Sequence, residues 1–284
     1  MTRPLRSAVP KAFLAPSLIG LAIFFLAPSA DVVRRSLADA SGERFVGLEN
    51  YTAVIGNEAF RTAAGNTAKF MVICIPLLLA LSLAIALAVR RSTPFRALMK
   101  TALLLPLAIP VFSAALLMNI TFDAQGIANG ILDFLGIDTV AWLSSDAALY
   151  VLVGNYVWRN LGYCTVLWLA ALACIPESLY EAARVDGASF SQITAKITLP
   201  MLAPSCAVVA ILAIVNAFKV YREAYLVAGS YPHESMYMLP HLFNNWFASL
   251  SITKLAAGGT ILGIVLLAIA CALFCLWNKQ ETMH

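Results

Sequence analysis

The chain has 284 residues, 61% of them hydrophobic and only 12% charged, and its mean hydropathy of +0.83 lies well outside the range of soluble domains. Its 19 Lys and Arg exceed 15 Asp and Glu to leave a net charge of +4, a mild excess that loop charges of a membrane protein account for without nucleic-acid binding. These figures exclude a soluble domain and a nucleic-acid module, and describe an all-α polytopic membrane protein.

Apolar windows free of charged residues cover 12–30, 70–89, 101–122, 197–218 and 255–278, each near the ~20 residues that cross a bilayer core. A further window, 153–175, is apolar apart from Arg159. Without it the charged loops fall on inconsistent faces, so six transmembrane helices are predicted. The first window follows Arg3, Arg6 and Lys11 and precedes Ala38-Asp39-Ala40, an arrangement that resembles a cleavable secretory signal. Its length, and Arg34 and Arg35 between it and that site, favour an uncleaved first helix. Sequencing the mature amino terminus separates the two readings. The connection from residue 31 to 69 is predicted to form short external helices.

The connection after the second window holds Arg90, Arg91, Arg96 and Lys100 with no acid, and the next holds Asp123, Asp133, Asp138 and Asp146 with no base. The first is therefore predicted to be cytoplasmic and the second external, which puts both termini in the cytoplasm. Pro16, Pro28, Pro76, Pro106 and Pro110 lie in or beside windows, as hinges or, more simply, as packing kinks. Cys74, Cys164, Cys174, Cys206, Cys271 and Cys275 lie in or beside spans without a C-x-x-C, and His233, His241 and His284 lie in loops or the tail. Neither disulfides nor a metal site is expected, and the cysteines read as small buried hydrophobes.

The fourth helix is predicted to end at Pro176, where helical hydrogen bonding cannot continue. A short helix then covers 177–186, with Glu181 and Arg184 spaced i, i+3, small Ala182 and Ala183 open to close approach, and Gly187 supplying the terminating geometry. Ser189 is a candidate N-cap for a second short helix, and Pro200 and Pro204 mark the start of the fifth span. Nothing in the chain cradles ATP: G-x-x-x-x-G-K-[ST], H-E-x-x-H and G-x-S-x-G are all absent, so it is not expected to be an enzyme.

Asn155, Arg159 and Tyr163 recur at i, i+4, i+8, and Asn216, Lys219 and Glu223 at i, i+3, i+7, so the fourth and fifth helices each present a polar stripe. Arg159 precedes Ile175 by 16 residues and Lys219 follows Ala203 by the same number, which at 1.5 Å per residue puts both about 24 Å from the inner boundary. Ionisable groups at that depth are costly and mark a candidate substrate path. The plainer reading has Arg159 and Lys219 snorkelling to headgroups and Lys219 pairing with Glu223. Trp158, Tyr163 and Trp168 are candidates for stacking on a ring-shaped substrate, although aromatic residues near an interface more often anchor the helix.

Glu181-Ala182-Ala183, Gly187 and Ile197-x-Leu199-Pro200 resemble the EAA signature of ATP-binding cassette (ABC) importer permeases. An ordinary interfacial helix pair is the alternative for this segment. Phe45-Val46-Gly47-Leu48-Glu49-Asn50-Tyr51, Asn66-Thr67, Leu104-Leu105-Pro106, Pro110, Gly126, Asn129, Trp158, Gly162 and Ile175-Pro176-Glu177 resemble the first permease of carbohydrate importers of the maltose and glycerol-3-phosphate type. Asn119 stands where a tryptophan is usual there, and Tyr231-Pro232-His233 replaces a Gly-Gly-Pro region.

The resemblance implies a type I ABC importer permease fold with six transmembrane helices in a prokaryotic cytoplasmic membrane. It divides the chain into residues 1–62 (cytoplasmic segment, first helix and external loop), a permease core at 63–278 with the coupling loop at 176–203, and a tail at 279–284. Glu181, Ala182, Ala183, Arg184, Asp186, Gly187, Ile197, Leu199 and Pro200 would couple to the ATPase. The implied partners are a cytoplasmic ATPase dimer carrying ATP and magnesium, a second homologous permease and an extracytoplasmic solute-binding protein. The chain itself would bind no cofactor, and its function would be ATP-driven uptake of a carbohydrate. An ion-coupled secondary transporter would instead need mid-membrane coupling groups and internal repeats, and a membrane enzyme clustered His, Asp or Glu; neither pattern is evident.

Overall fold

The computed structural model describes residues 8–91 and 96–281; Arg3, Arg6 and His284 lie outside them. The described residues are almost wholly helical, and their lone bridge pairs Ala38 with Phe45. Five helical segments are long and apolar enough to cross a membrane, or six when the bent pair Ala147–Ala173 and Glu177–Val185 is taken as one. The chain divides into two compact units, Met1–Arg61 with Phe243–Leu267, and Thr62–Leu242 with Ala268–His284.

In the first unit, α1 (Ala8–Leu21) runs through a π turn, Ala22–Leu26, into α2 (Ala27–Ser36). The π turn ends just before Pro28: the Ala27 N–H reaches back five residues to Ala22, and the widened turn accommodates a ring that would clash with a carbonyl four residues earlier. Phe24 is 82% exposed and none of the core of this span is buried within the chain, as suits a helix facing lipid. Beyond it, Asn50 Nδ2 donates to the carbonyls of Ser36 (3.0 Å) and Ala38 (2.7 Å), and the Tyr51 hydroxyl lies 2.6 Å from Ser36 Oγ. Asn50 thus satisfies carbonyls at and just beyond the end of α2, Tyr51 ties to the Ser36 side chain, and Gly47 turns the chain at φ +60°. Asp39, hydrogen-bonded by Ser41 Oγ and by backbone N–H groups of 42–44, keeps a carboxyl below the usual range. A short α3 (Glu49–Gly56) completes the loop. On the other strip of chain, Gly258 of α14 (Ile252–Glu281) lies where a Cβ would come within 3.0 Å of Phe243 and Trp246.

The second unit is built around α8 (Ala147–Ala173), whose 27 residues extend about 40 Å. Its inward positions are buried from Ala148 to Leu172. It packs on α4 (Glu58–Arg91), where Phe70 meets Tyr156 edge-on at 5.6 Å and Trp168 Nε1 donates to Ser82 Oγ at 3.0 Å. It also packs on α5 (Arg96–Ala108) and on α11 (Leu199–Ala217). Tyr156 donates its hydroxyl proton to the Ala213 carbonyl at 2.6 Å. At Gly162 the α5 and α8 backbones nearly touch, since a Cβ there would lie 1.9 Å from the Leu103 carbonyl oxygen.

The expected third span, 101–122, is broken. It comprises α5 and α6 (Val111–Phe122), separated at Ile109-Pro110. Proline offers no N–H and drives the preceding residue out of the helical region. The continuous apolar stretch long enough to cross runs instead from Val111 to Phe134, including α7 (Ile127–Phe134). Asn129 holds the following loop, accepting from Val140 N and Trp142 Nε1 and donating to the Val140 carbonyl. At the far end, α9 (Glu177–Val185) bends 72° from α8. The fifth span is longer than expected: α10 (Phe190–Ile193), a π turn, α11, a 3₁₀ turn (Phe218–Val220) and α12 (Tyr221–Ala228) form one 39-residue helical run. The loop beyond it is pinned by Asn66 Nδ2 to the carbonyls of Glu234 and Tyr237, and by Thr67 Oγ1, which accepts from Leu239 N at the start of α13 (Leu239–Ala248). Of the cysteines, Cys74 and Cys164 are buried as expected, while Cys174, Cys206, Cys271 and Cys275 are exposed on the chain.

Candidate functional sites

The bend after α8 is set by Pro176, which caps α9 in an extended conformation. At the other end Gly187 adopts φ +77°, its N–H reaches the Arg184 carbonyl (3.1 Å) and the Ala188 N–H reaches Ala183 (2.9 Å). This is a Schellman closure, with glycine where a side chain would be strained. Ser189 and Gln192 form a reciprocal capping box that starts α10. The π turn Thr194–Thr198 again ends just before proline, with Leu199 N–H donating to Thr194 ahead of Pro200. The helix therefore passes through Pro200, which was expected to mark the start of the fifth span.

Glu181, Ala182, Arg184, Asp186 and Gly187 are exposed, Ala183 and Ile197 are half-buried against the core, and Leu199 and Pro200 are exposed. The expected Glu181–Arg184 pair does not form. Arg184 instead reaches two turns back to Glu177 (3.3 Å), whose other oxygen meets Arg90 at 3.1 Å. The Arg90 guanidinium lies 4.2 Å from the centre of the Tyr180 ring, and the buried Tyr180 hydroxyl is 3.3 Å from Thr198 Oγ1. These contacts tie α9 to the end of α4 and to the π turn before α11, around a cavity of about 620 Å³. Sequence reading missed the roles of Arg90, Tyr180 and Thr198, because pairings across separate helices carry no local spacing.

The polar stripes converge. Asn155, Arg159, Tyr163, Asn216, Lys219 and Glu223 line one cavity of about 400 Å³, joined by Asn160 and Arg222. Arg159 neither snorkels nor stands free: its Nη1 lies 3.4 Å from Glu223 Oε1, and its Nη2 donates to the Ile109 carbonyl at 3.0 Å. That carbonyl belongs to the break at Pro110, so one guanidinium joins the broken third helix, the fourth and the fifth. Glu223 is taken by Arg159, and Lys219 Nζ donates to Asn216 Oδ1 at 2.8 Å in place of the expected partner. Asn216 lies at the end of α11, one residue before its last, and Lys219 three residues on, in the 3₁₀ turn, a spacing that makes the two side chains surface neighbours. Asn155 Nδ2, Arg159 Nη1 and Glu223 Oε2 are buried without a hydrogen-bond partner among the protein's atoms.

Trp158 does not join this cavity. One residue from Arg159 is 100° around the helix, and Trp158 lines a separate apolar hollow of about 540 Å³ with Trp142 and Phe122. Trp168 is 2% exposed and belongs to the core. Outside the spans, burial brings the His241 imidazole down to about 4. Its Nδ1 faces the Met238 N–H (3.4 Å), and the Tyr221 and Tyr237 rings flank it at 4.7 and 5.8 Å. Among the described residues no cluster of His, Cys, Asp and Glu suits a metal ion.

Residues 77–279, most of the chain and including both polar sites, match the model of the binding-protein-dependent transport system inner membrane components, and the chain belongs to that family. It is 31% identical over 278 residues to the arabinooligosaccharides transport system permease protein AraP of Bacillus subtilis, covering 93% of this chain and 87% of that one. It is 33% identical over 229 residues to the sulfoquinovosyl glycerol transport system permease protein SmoG of Agrobacterium fabrum, covering 78% and 74%. Its fold matches a chain of a crystallised bacterial ABC transporter involved in the import of the acidic polysaccharide alginate, with a TM-score of 0.81, 22% identity and 96% of each chain covered.

Proposed function

We propose that this chain is the carbohydrate-conducting permease subunit of an ATP-driven importer, with residues 63–278 as its core. The carrying observation is α9, a short helix bent 72° from α8, closed by Gly187 and anchored by Glu177 and Tyr180, with Glu181 and Ala182 left exposed. A helix held at its base and bare on its outer face suits insertion into a cleft of a separate ATPase. Movement of that ATPase would pass through Arg90 to α4 and through Thr198 to α11, shifting the balance between two membrane states. The relatives named as carbohydrate permeases support a sugar as cargo, and the polar cavity beside Arg159 is the proposed path. An ATPase dimer holding ATP and magnesium, a second permease and an external solute-binding protein complete the assembly. Both termini then lie in the cytoplasm, as the loop charges require.

Uptake by proteoliposomes holding the complete complex tests this reading. ATP should drive transport, while Glu181→Lys and Gly187→Pro should insert normally, abolish uptake and uncouple ATP hydrolysis. Normal uptake in both variants would remove the coupling role. Uptake driven by an ion gradient without the ATPase would make the chain a secondary transporter.

A further inference from the structure

The ionic balance of the 400 Å³ cavity is uneven. Arg159, Lys219 and Arg222 line it against a single acid, Glu223. Arg159 and Glu223 are both buried and meet at 3.4 Å, so they cancel. Lys219 is held by the neutral Asn216, and Arg222 Nε by the Lys219 carbonyl at 3.3 Å. Among the described residues neither forms an ion pair with a carboxylate. The cavity lining therefore carries two positive charges in excess, on the exposed side chains of Lys219 and Arg222, beside Leu107 and Val220, and a cleft lined by one sign of charge draws the opposite sign. Asn155 Nδ2, on a residue 8% exposed, adds a buried donor without a hydrogen-bond partner among the protein's atoms in the same cavity. Such a lining has more donors and positive charge than a neutral polyol can answer.

We infer that the cargo is a carbohydrate bearing an oxyanion, a carboxylate, phosphate or sulfonate, which Lys219 and Arg222 receive. The inference rests on the carbohydrate-import reading and narrows its substrate class. Lipid phosphates present the same chemistry, and the test separates the two sources.

The complete complex is reconstituted with its binding protein in phosphatidylcholine vesicles and, in parallel, in vesicles containing phosphatidylglycerol. The probes are a uronic-acid oligosaccharide, a sugar phosphate and the neutral oligosaccharide of equal length. Binding-protein affinity for each probe is titrated first, and ATP hydrolysis certifies assembly in every arm. Uptake of at least one anionic probe is expected to exceed that of the neutral one. It should fall roughly ten- to hundredfold in the doubly substituted Lys219→Gln, Arg222→Gln complex, the loss of two charge-assisted hydrogen bonds, and stay within about threefold in Lys219→Arg, Arg222→Lys. The inference is overturned if the neutral probe is the one bound and transported, with the glutamine variant unaffected. It is equally overturned if the variant's defect follows vesicle charge rather than probe charge, which assigns the cations to headgroups. A complex that hydrolyses ATP with its binding protein yet moves no carbohydrate of either charge would overturn the carbohydrate reading itself.

Discussion

Glu223→Gln isolates the Arg159 guanidinium. Arg159 is 9% and Glu223 4% exposed, so neutralising the acid leaves a buried cation with no compensating charge, held only by neutral oxygens such as the Ile109 carbonyl. Removing one partner of such a pair costs about 3–5 kcal/mol, because the surviving charge stays desolvated. Arg159→Met should cost a comparable amount: it strands Glu223 and also leaves the Ile109 carbonyl without its donor, a further ~1–3 kcal/mol. Replacing both by methionine removes both charges, and only the carbonyl penalty should persist. The double variant is thus expected to be more stable than either single one, recovering about 3–5 kcal/mol of the Arg159→Met loss. The assay is thermal unfolding of the detergent-purified complex, with surface expression as a check on insertion. Additive single effects, or an unchanged melting temperature in Glu223→Gln, would refute the claim that this pair holds three helices together.

Gly162→Ala should separate α5 from α8, since the new methyl would lie 1.9 Å from a backbone oxygen that cannot swing aside. A loss of at least about 1–3 kcal/mol is expected, and an unaltered melting curve would contradict the close approach. Glu177→Gln releases α9 from Arg90 and Arg184 at exposed ion pairs, so stability should change by less than about 1 kcal/mol. The ratio of uptake to ATP hydrolysis should nonetheless drop several-fold; a constant ratio would show that the tether transmits nothing. His241 has a folded value of about 4 against an ordinary 6.5 and is neutral in the fold. Its contribution is intact above pH 6.5 and is lost as pH falls toward 4, about 3 kcal/mol over the window. His241→Asn keeps an acceptor for Met238 N–H, and unfolding curves between pH 7.5 and 4.5 should show it less acid-sensitive than the parent.

Class and span number were legible in the chain because crossing a bilayer demands long uninterrupted apolar runs whatever they pack against. The short helix at 177–185 was legible too, since Pro176, Gly187 and Ser189 act through their own backbones. Helix lengths were less so: α4 and the fifth helical run extend beyond their apolar windows into polar sequence that is equally helical. Pro110, expected as a hinge or kink, breaks the third span outright, whereas Pro28 and Pro200 are absorbed by π turns. Proline chemistry is the same at all three, and the neighbouring turn decides whether the helix widens or stops. Trp158 and Arg159 adjoin in sequence yet serve different cavities, which follows from 100° per residue once the facing helices are known.

By itself the sequence determined what each residue must satisfy locally: apolar length for the membrane, and a glycine and prolines for the ends of the short helix after the fourth span. Only the tertiary structure decided who satisfies whom. Arg159 binds Glu223 and the Ile109 carbonyl, Lys219 binds Asn216, and Arg184 bypasses Glu181 for Glu177. The reason is physical. A buried charge takes the nearest partner in space, and that distance is set by how helices pack, which no spacing along one helix records.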